Sequence, residues 1–279
     1  MDRLTKNTTI FAALITLSTS IYAYSPIMNR IDKLSQEIEI YNNDPALLVR
    51  RGRLYADADY SDKAIKDYQQ ALKADPTYHK TLYWLGVQLL KIGDIDNAKE
   101  TLNSYLQVKP RASQGLEAYA RTLVKLKNYS DAAKYYDRLI GYNKISSPQT
   151  YRERAQALML IDPMPLKRLE KGLQAGLREH GPSTLYFDIL VDANIKAEKN
   201  NRALFWIEQI PEKIQNTPTW IIRRAQIYEY QDEIFSAIQL YQRLIRKIDH
   251  LPRDQQKSPA LVEARRMSKK EIYRLKRHY

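Results

Sequence analysis

Cysteine is absent from this chain of 279 residues, and glycine and phenylalanine are scarce. The lack of cysteine excludes disulfides, thiolate metal sites, cysteine nucleophiles and a bacterial lipoprotein anchor. Eight glycines allow few left-handed turns or phosphate-binding loops, and they suit an all-helical chain. Most of the aromatic residues are tyrosines, since the chain has 21 tyrosines and only 4 phenylalanines. Tyrosine suits half-buried positions because its ring is apolar and its tip is polar.

Signatures of catalysis and of bound cofactors are also missing. The histidines are His79, His180, His250 and His278, which lie far apart, and none has a partner at the i, i+4 spacing of a helical zinc site. The aspartates near the predicted turns lack the central glycine and the twelfth-position glutamate of a calcium loop. No phosphate loop, dinucleotide fingerprint or nucleophile elbow occurs. We therefore expect a non-enzymatic protein with no cofactor, no metal and no evident small-molecule substrate.

Basic residues outnumber acidic ones, 45 to 32, which gives a formal net charge of +13. This excess favours an anionic partner, such as an acidic protein segment, a phospholipid surface or nucleic acid. A solvated surface that is merely basic fits the same composition. Charge alone therefore leaves both interpretations open.

The first 23 residues have the pattern of a secretory signal peptide. Arg3 and Lys6 precede an apolar stretch from Ile10 to Ala23, which ends in small residues suited to cleavage after Ala23. The stretch is shorter than the ~20 residues that span a bilayer comfortably. We predict an exported chain, periplasmic or secreted, and an uncleaved amino-terminal anchor is the alternative.

The clearest pattern is a repeat of 34 residues. Four sets of residues recur at this spacing: Leu48, Leu82 and Leu116; Gly52, Gly86 and Ala120; Ala64, Ala98 and Ala132; Tyr68, Leu102 and Tyr136. Small residues at two of these positions let two helices cross closely, and large residues one turn away fill the remaining space. Near the start of each second helix stand Ser61, Asp96 and Ser130, whose oxygens we expect to cap free backbone N–H groups.

These residues resemble the tetratricopeptide repeat family. Leu48 and Leu82 stand at the usual tryptophan site, Tyr55 at the tyrosine site, and Pro76 and Pro110 at the terminal proline. The resemblance implies an all-α fold, a right-handed α-α superhelix of about six helix pairs with a lead-in helix and a C-terminal capping helix. It covers most of the chain after residue 44.

The repeat pattern also divides the chain. We expect a signal peptide or anchor at 1–23, a lead-in helix at 24–44, three well-matched repeats at 45–147, three degenerate repeats at 148–250 and a basic capping helix at 251–279. Pro163 and Pro165 interrupt the fourth repeat. The sequence leaves open whether that repeat is a hinge or an ordinary packed pair.

First helices line the inner wall of such a superhelix, and the resemblance assigns particular side chains to that wall. The predicted partner-binding groove consists of Arg53, Tyr83, Lys91, Arg121, Lys125 and Arg152. Its cations would bind an acidic or carboxylate-ended segment of a partner protein by charge-assisted hydrogen bonds, with Tyr83 as an aromatic anchor. A solvated wall with scattered basic residues is the alternative.

The last helix offers a second basic surface. Its cations are Arg265, Arg266, Lys269, Lys270 and Arg274. They either contact anionic lipid or another polyanion, or they form the charged outer face that a capping helix requires. The sequence thus favours a protein-interaction scaffold or adaptor of the bacterial cell envelope. A membrane-surface protein is the alternative, and nucleic-acid binding is a further one, against which the export signal argues.

Overall fold

The structure, a computed structural model, describes residues 26–143 and 145–277. The predicted signal peptide lies outside the described residues. The chain divides into two compact units, Met1–Asn143 and Lys144–Tyr279, which we name the N-terminal unit and the C-terminal unit. All regular secondary structure in the described residues is helical, and no strand occurs among them. The predicted all-α fold is confirmed.

Helix pairs build the N-terminal unit. Its described helices are α1 (26–40), α2 (Pro45–Asp57), α3 (Ser61–Ala74), α4 (Lys80–Ile92), α5 (Ile95–Val108), α6 (Ser113–Lys125) and α7 (Tyr129–Tyr142). Helices α2, α4 and α6 are the first helices of the repeats, and each packs against the second helix that follows it. Short connections make these neighbours antiparallel. Helix α4 also contacts both α2 and α6, so the first helices lie side by side.

Glycines let the paired helices approach closely. A Cβ atom on Gly52 would lie 2.6 Å from Cε1 of Tyr68, and one on Gly86 would lie 2.6 Å from Cγ of Leu102. Tyr68 and Leu102 are buried in the space between the helices. The recurrence of small and large residues at the 34-residue spacing therefore reports real helix crossings.

The turn inside five of the six described helix pairs contains one residue with left-handed backbone, and the turn at residues 160–165 contains none. These residues are Asp59, Gly93 and Lys127 in the N-terminal unit, with φ of 60°, 86° and 58°, and Glu198 and Asp232 in the C-terminal unit, with φ of 56° and 61°. Only one of the five is a glycine, although glycine adopts this conformation at the lowest cost. The turn geometry thus recurs more faithfully than the sequence that forms it.

The expected helix caps are wrong for the second helices. Helices α3 and α5 begin at Ser61 and Ile95, and neither has a side-chain cap. In α7 the cap is Asn128, whose Oδ1 accepts from the backbone N–H of Asp131. The N-cap positions are Tyr60, Asp94 and Asn128, one or two residues before the expected caps, so Ser61, Asp96 and Ser130 lie inside the first turn. The Ser61 hydroxyl instead accepts from Nε2 of Gln88 on α4 at 2.7 Å.

Three further helix pairs and a last helix build the C-terminal unit. The helices are α8 (Pro148–Met159), α9 (Leu166–His180), α10 (Thr184–Lys196), α11 (Asn200–Glu208), α12 (Glu212–Gln215), α13 (Pro218–Tyr230), α14 (Ile234–Asp249), α15 (Arg253–Gln256) and α16 (Pro259–Arg277). Helix α16 packs on α13 and α14 through Ala264 and Leu275, both buried. None of the described helices joins enough length to enough apolar character to cross a membrane.

Candidate partner-binding surface

Five of the six predicted groove residues lie on first helices of the N-terminal unit. Arg53 is on α2, Tyr83 and Lys91 are on α4, and Arg121 and Lys125 are on α6. Because α4 contacts both α2 and α6, these residues are carried by adjacent elements. Three neighbouring first helices of this unit therefore carry the five predicted residues.

An aromatic cluster connects α2 with α4 and α5. The Cζ atom of Arg53 lies 4.3 Å from the ring centroid of Trp84. The ring of Tyr83 lies 5.0 Å from that of Trp84 and 5.7 Å from that of Tyr105 on α5. A guanidinium stacked on an aromatic face is oriented in advance and keeps N–H donors available for a carboxylate. Sequence reasoning did not include Trp84 in the groove, because the side chain that stacks on it comes from the preceding repeat.

An ion pair on α6 lies beside this cluster. Arg121 Nη2 donates to Glu117 Oε1 at 2.6 Å across one helical turn. Burial raises the pKa of Tyr83, and the Glu117 carboxylate raises it further. The Tyr83 hydroxyl is therefore protonated at neutral pH and can donate a hydrogen bond. One turn beyond, the side chain of Lys125 is exposed and forms no ion pair within the described part of the chain.

These residues form what we name the first-helix surface: Arg53, Tyr83, Trp84, Glu117, Arg121 and Lys125. It combines half-buried aromatic rings with three cations and one carboxylate. Such a surface can hold an extended segment by stacking and by charge-assisted hydrogen bonds.

Lys91 has a structural contact that the sequence did not indicate. Its Nζ donates to Asp59 Oδ1 at 2.6 Å and to the backbone oxygen of Ala56 at 3.3 Å. The hydrogen bond from Lys91 lowers the pKa of Asp59. Lys196 makes a similar contact in the C-terminal unit, where its Nζ donates to the backbone oxygen of Met159 at 2.5 Å. A cation at the last carbonyls of a helix is favourable, so Lys91 stabilises the turn that follows α2.

Arg152, the sixth predicted groove residue, lies on α8 in the C-terminal unit. Its Nε is buried and has no hydrogen-bond partner in the described residues. Farther along this unit α10 carries Asp188 and Asp192, and Arg223 on α13 donates to both carboxylates. Burial raises the pKa of Asp188, while Arg223 opposes that shift. Helices α10 and α13 therefore carry internal ion pairs, not a basic surface.

All three arginines of the predicted second surface, on α16, are already paired. Arg265 Nη2 lies 2.6 Å from Asp249 Oδ1, and Arg266 Nη2 lies 2.7 Å from Glu263 Oε1. Arg274 binds both Glu271 and Glu229, and these hydrogen bonds raise its pKa. Only Lys269 and Lys270, among the five predicted cations, lack an ion pair within the described range. The three predicted arginines of α16 are thus balanced by acidic residues of the same unit, whereas the two predicted lysines are not.

The mostly buried carboxylates outside these surfaces serve packing. In the N-terminal unit, Nε and Nη2 of Arg51 donate to both oxygens of Asp67 at 2.8 and 2.7 Å. In the C-terminal unit, Glu170 Oε1 accepts hydrogen bonds from Trp206, Asn194 and Arg202. Over the described residues, no group of three histidine, aspartate or glutamate side chains is placed to hold a metal ion.

Comparison with known proteins supports the repeat architecture. Residues 54–121 match the tetratricopeptide repeat family. A stretch of 92 residues is 30% identical to part of the peroxisomal targeting signal receptor of Kluyveromyces lactis. That match covers 33% of this chain and 16% of the receptor, so the chain spans a small fraction of this relative.

Solved structures share the fold at low sequence identity. A tetratricopeptide repeat protein from Parabacteroides merdae superimposes with a TM-score of 0.53 at 16% identity, over 92% of this chain and 98% of its own. YrrB, described as a TPR protein with an unusual peptide-binding site, gives 0.56 at 15% identity, over 74% and 96%. MamA gives 0.51 at 15% identity, over 65% and 96%. The fold of the chain is therefore that of a tetratricopeptide repeat solenoid.

Proposed function

We propose that this chain is a non-enzymatic scaffold or adaptor of the bacterial cell envelope, and that its first-helix surface binds an acidic, extended segment of a partner protein. The observation that carries the proposal is the stack of Arg53 on Trp84 beside the half-buried Tyr83. A cation that is oriented by an aromatic ring loses little conformational freedom when it binds a carboxylate. Arg121 and the exposed Lys125 extend the same surface by one helix.

Two relatives agree with a peptide ligand. YrrB has a peptide-binding site, and the Kluyveromyces lactis relative is a receptor for a targeting signal. We infer by analogy that this chain also binds a segment of another protein. The acidic character of that segment rests on the cations of the first-helix surface, not on the relatives.

The proposed location rests on the amino-terminal pattern of residues 1–23. We propose export followed by cleavage after Ala23, which leaves the repeats outside the cytoplasm. Amino-terminal sequencing of the protein recovered from cells tests this: a start at Tyr24 supports cleavage, whereas an intact Met1 supports an anchor or no export. Fractionation of the same cells separates those last two outcomes.

Peptide binding by the full chain tests the function. Neighbouring helix axes lie about 8–10 Å apart, so three first helices are spanned by an extended peptide of about ten residues. The probe is a fluorescein-labelled peptide of about that length in which glutamates alternate with neutral residues. We expect its fluorescence anisotropy to rise with protein concentration, and a glutamine-for-glutamate peptide to bind at least about tenfold more weakly.

A matched pair of variants locates the binding. Arg53→Gln with Lys125→Gln removes two cations from the first-helix surface, and Lys66→Gln with Lys99→Gln removes two exposed cations from second helices α3 and α5. We expect the first pair to weaken binding about tenfold and the second pair to change it less than about twofold. Equal weakening by both pairs, or no binding of the acidic peptide at all, would refute the proposal. Circular dichroism confirms that each variant is folded.

A further inference from the structure

A charged cleft separates the lead-in helix from the first repeat. It lies between α1 and α2 in the N-terminal unit and has a volume of 390 Å³. Leu34 and Leu54, both buried, form part of its lining, and the other lining side chains are charged. The charged residues are Arg30, Lys33, Glu37, Arg50, Arg53 and Asp57. We name this site the α1–α2 cleft.

The two helices line the cleft with the same pattern of residues. On α1 the lining residues have the spacing i, i+3, i+4, i+7 and are Arg30, Lys33, Leu34 and Glu37. On α2 the same spacing recurs with Arg50, Arg53, Leu54 and Asp57. This spacing places each set on one helical face. The helices are antiparallel, because only residues 41–44 join them. Glu37 on α1 therefore lies toward the end of the cleft that contains Arg50. Asp57 on α2 lies toward the opposite end, which contains Arg30.

The cations of the cleft are not neutralised within the described residues. None of the six charged side chains forms an ion pair there, although oppositely charged residues line both walls. Arg30, Lys33, Arg50 and Arg53 are exposed, and Arg53 is fixed over Trp84. Four cations against two carboxylates leave an excess of positive charge in a recess. A recess bounded by protein strengthens the attraction of an anion relative to a flat surface.

We propose that the α1–α2 cleft is a second subsite for the acidic segment of the partner protein, which binds carboxylate side chains through Arg30, Lys33 and Arg50. This inference rests on the proposed function, since Arg53 belongs both to the cleft and to the first-helix surface. The shared arginine makes the two sites adjacent. A partner segment that crosses the first-helix surface toward α2 thus reaches the cleft at Arg53.

The two carboxylates of the cleft select the kind of anion. Glu37 and Asp57 repel an unbroken row of negative charges, which single-stranded nucleic acid and an anionic lipid surface both present. A protein segment can place acidic side chains at the cations and neutral side chains, or backbone N–H donors, at the carboxylates. The recess between two helices also admits an extended chain more readily than a flat bilayer surface. An acidic peptide with neutral residues between its acidic ones can match the cations, the two carboxylates and the narrow recess of the cleft.

Two triple variants of the full chain test the inference. Arg30→Gln, Lys33→Gln and Arg50→Gln remove the cleft cations that do not belong to the first-helix surface. Lys66→Gln, Lys73→Gln and Lys99→Gln remove the same charge from exposed positions of α3 and α5. The probe is the labelled peptide with alternating glutamates, and competition is measured with an unlabelled single-stranded oligonucleotide and with phosphatidylserine vesicles.

We expect the cleft variant to weaken peptide binding at least about tenfold and the control variant to weaken it less than about twofold. If the cleft variant binds normally while Arg53→Gln with Lys125→Gln loses binding, the cleft subsite is refuted and the proposed function stands. If the wild-type chain does not bind the peptide, the proposed function itself fails. Equal losses in both triple variants would show attraction by net charge alone. The assignment to a protein segment would be overturned if the oligonucleotide or the vesicles displaced the labelled peptide at a lower concentration of negative charge than unlabelled peptide does.

Discussion

Glu170 is the most heavily hydrogen-bonded carboxylate described in the C-terminal unit. Its Oε1 accepts from Trp206 Nε1 at 2.8 Å, from Asn194 Nδ2 at 2.9 Å and from Arg202 Nε at 3.2 Å. Burial by itself raises the pKa of Glu170, but hydrogen bonds from these three donors outweigh burial, and the pKa is lowered. Glu170 thereby joins α9, α10 and α11 through one ionised group.

This shift predicts how the stability of the C-terminal unit depends on pH. A carboxylate whose pKa is lower in the folded state stabilises the fold above its unfolded pKa, and that contribution is lost as the pH falls through the folded pKa. Glu170→Gln should reduce the free energy of unfolding by about 2 kcal/mol at neutral pH, because an amide is a weaker acceptor for these donors. The deficit should shrink below the ordinary glutamate pKa of 4.5.

Urea denaturation at about pH 6 and about pH 3 measures both effects. Glu208→Gln is the matched control, because Glu208 is exposed on α11 and its side chain forms no hydrogen bond in the described part of the chain. It should change stability little at either pH. A deficit for Glu170→Gln that stays constant from neutral to acidic pH would show that the network does not depend on ionised Glu170.

Single residues of the candidate site were predictable from the sequence only where the repeat pattern assigns them. The pattern places Arg53 and Tyr83 on first helices, where the structure has them. It does not reveal that Lys91 binds Asp59, because the two residues are 32 positions apart and meet only through the left-handed turn at Asp59. The stack of Arg53 on Trp84 is hidden for the same reason, since it joins two repeats.

At the scale of the helix, close crossings predict opposite effects for two glycine substitutions. Gly52→Ala should destabilise the N-terminal unit by about 1–3 kcal/mol, because the new Cβ atom would lie 2.6 Å from the buried ring of Tyr68. Gly141→Ala in α7 should stabilise it by about 0.5 kcal/mol, because nothing lies within 4 Å of its Cβ position and alanine favours helix. Thermal and urea unfolding followed by circular dichroism measure both changes.

The pair is its own control, since the chemical change is identical and only the surroundings differ. If both substitutions stabilise the chain, the α2–α3 crossing is looser than the structure shows. If both destabilise it, helix propensity does not govern the exposed site in α7. The first result would contradict the explanation of the 34-residue pattern by close helix packing, and the second would contradict only the gain expected for Gly141→Ala.

Helices were predictable from the sequence to the extent that their packing residues repeat. The first three repeats combine small and large residues at fixed spacing, and helices α2 to α7 lie there. Helix starts were less predictable, because a left-handed residue such as Asp59 sets the turn while the residue types at the start vary. The single-turn helices α12 and α15 have no repeat counterpart, and no periodic pattern exists over four residues. The positive charge of α16 was visible, but its pairing with Asp249 and Glu229 depends on tertiary contacts.

At the scale of the whole molecule, a repeat chain is stabilised mainly by contacts between sequence neighbours. The strongest helix contacts join consecutive helices, such as α2 with α3 and α13 with α14. In such an array the loss of one interface destabilises its neighbours first. The bidentate pair between Arg51 on α2 and Asp67 on α3 allows this locality to be tested, because Arg51 Nη1 also donates to Ser35 on α1 at 3.0 Å.

Asp67→Ala leaves the guanidinium of Arg51 largely buried without its carboxylate, which should cost about 3 kcal/mol. We expect hydrogen exchange, followed by mass spectrometry of peptides, to accelerate about a hundredfold in α1, α2 and α3. Exchange in α13, α14 and α16 should stay within about threefold of the wild type, because these helices pack on one another through separate clusters.

Glu100→Ala is the matched control for this experiment. Glu100 is an exposed residue of α5 whose side chain forms no ion pair in the described range, so its loss should leave exchange unchanged throughout. Acceleration confined to α1–α3 in the Asp67 variant would show that the repeats open locally, which permits a partner segment to bind one part of the chain without unfolding the rest. Equal acceleration in α13–α16 would instead show that the molecule unfolds as one cooperative body. In that case the N-terminal unit could not rearrange alone when a partner binds.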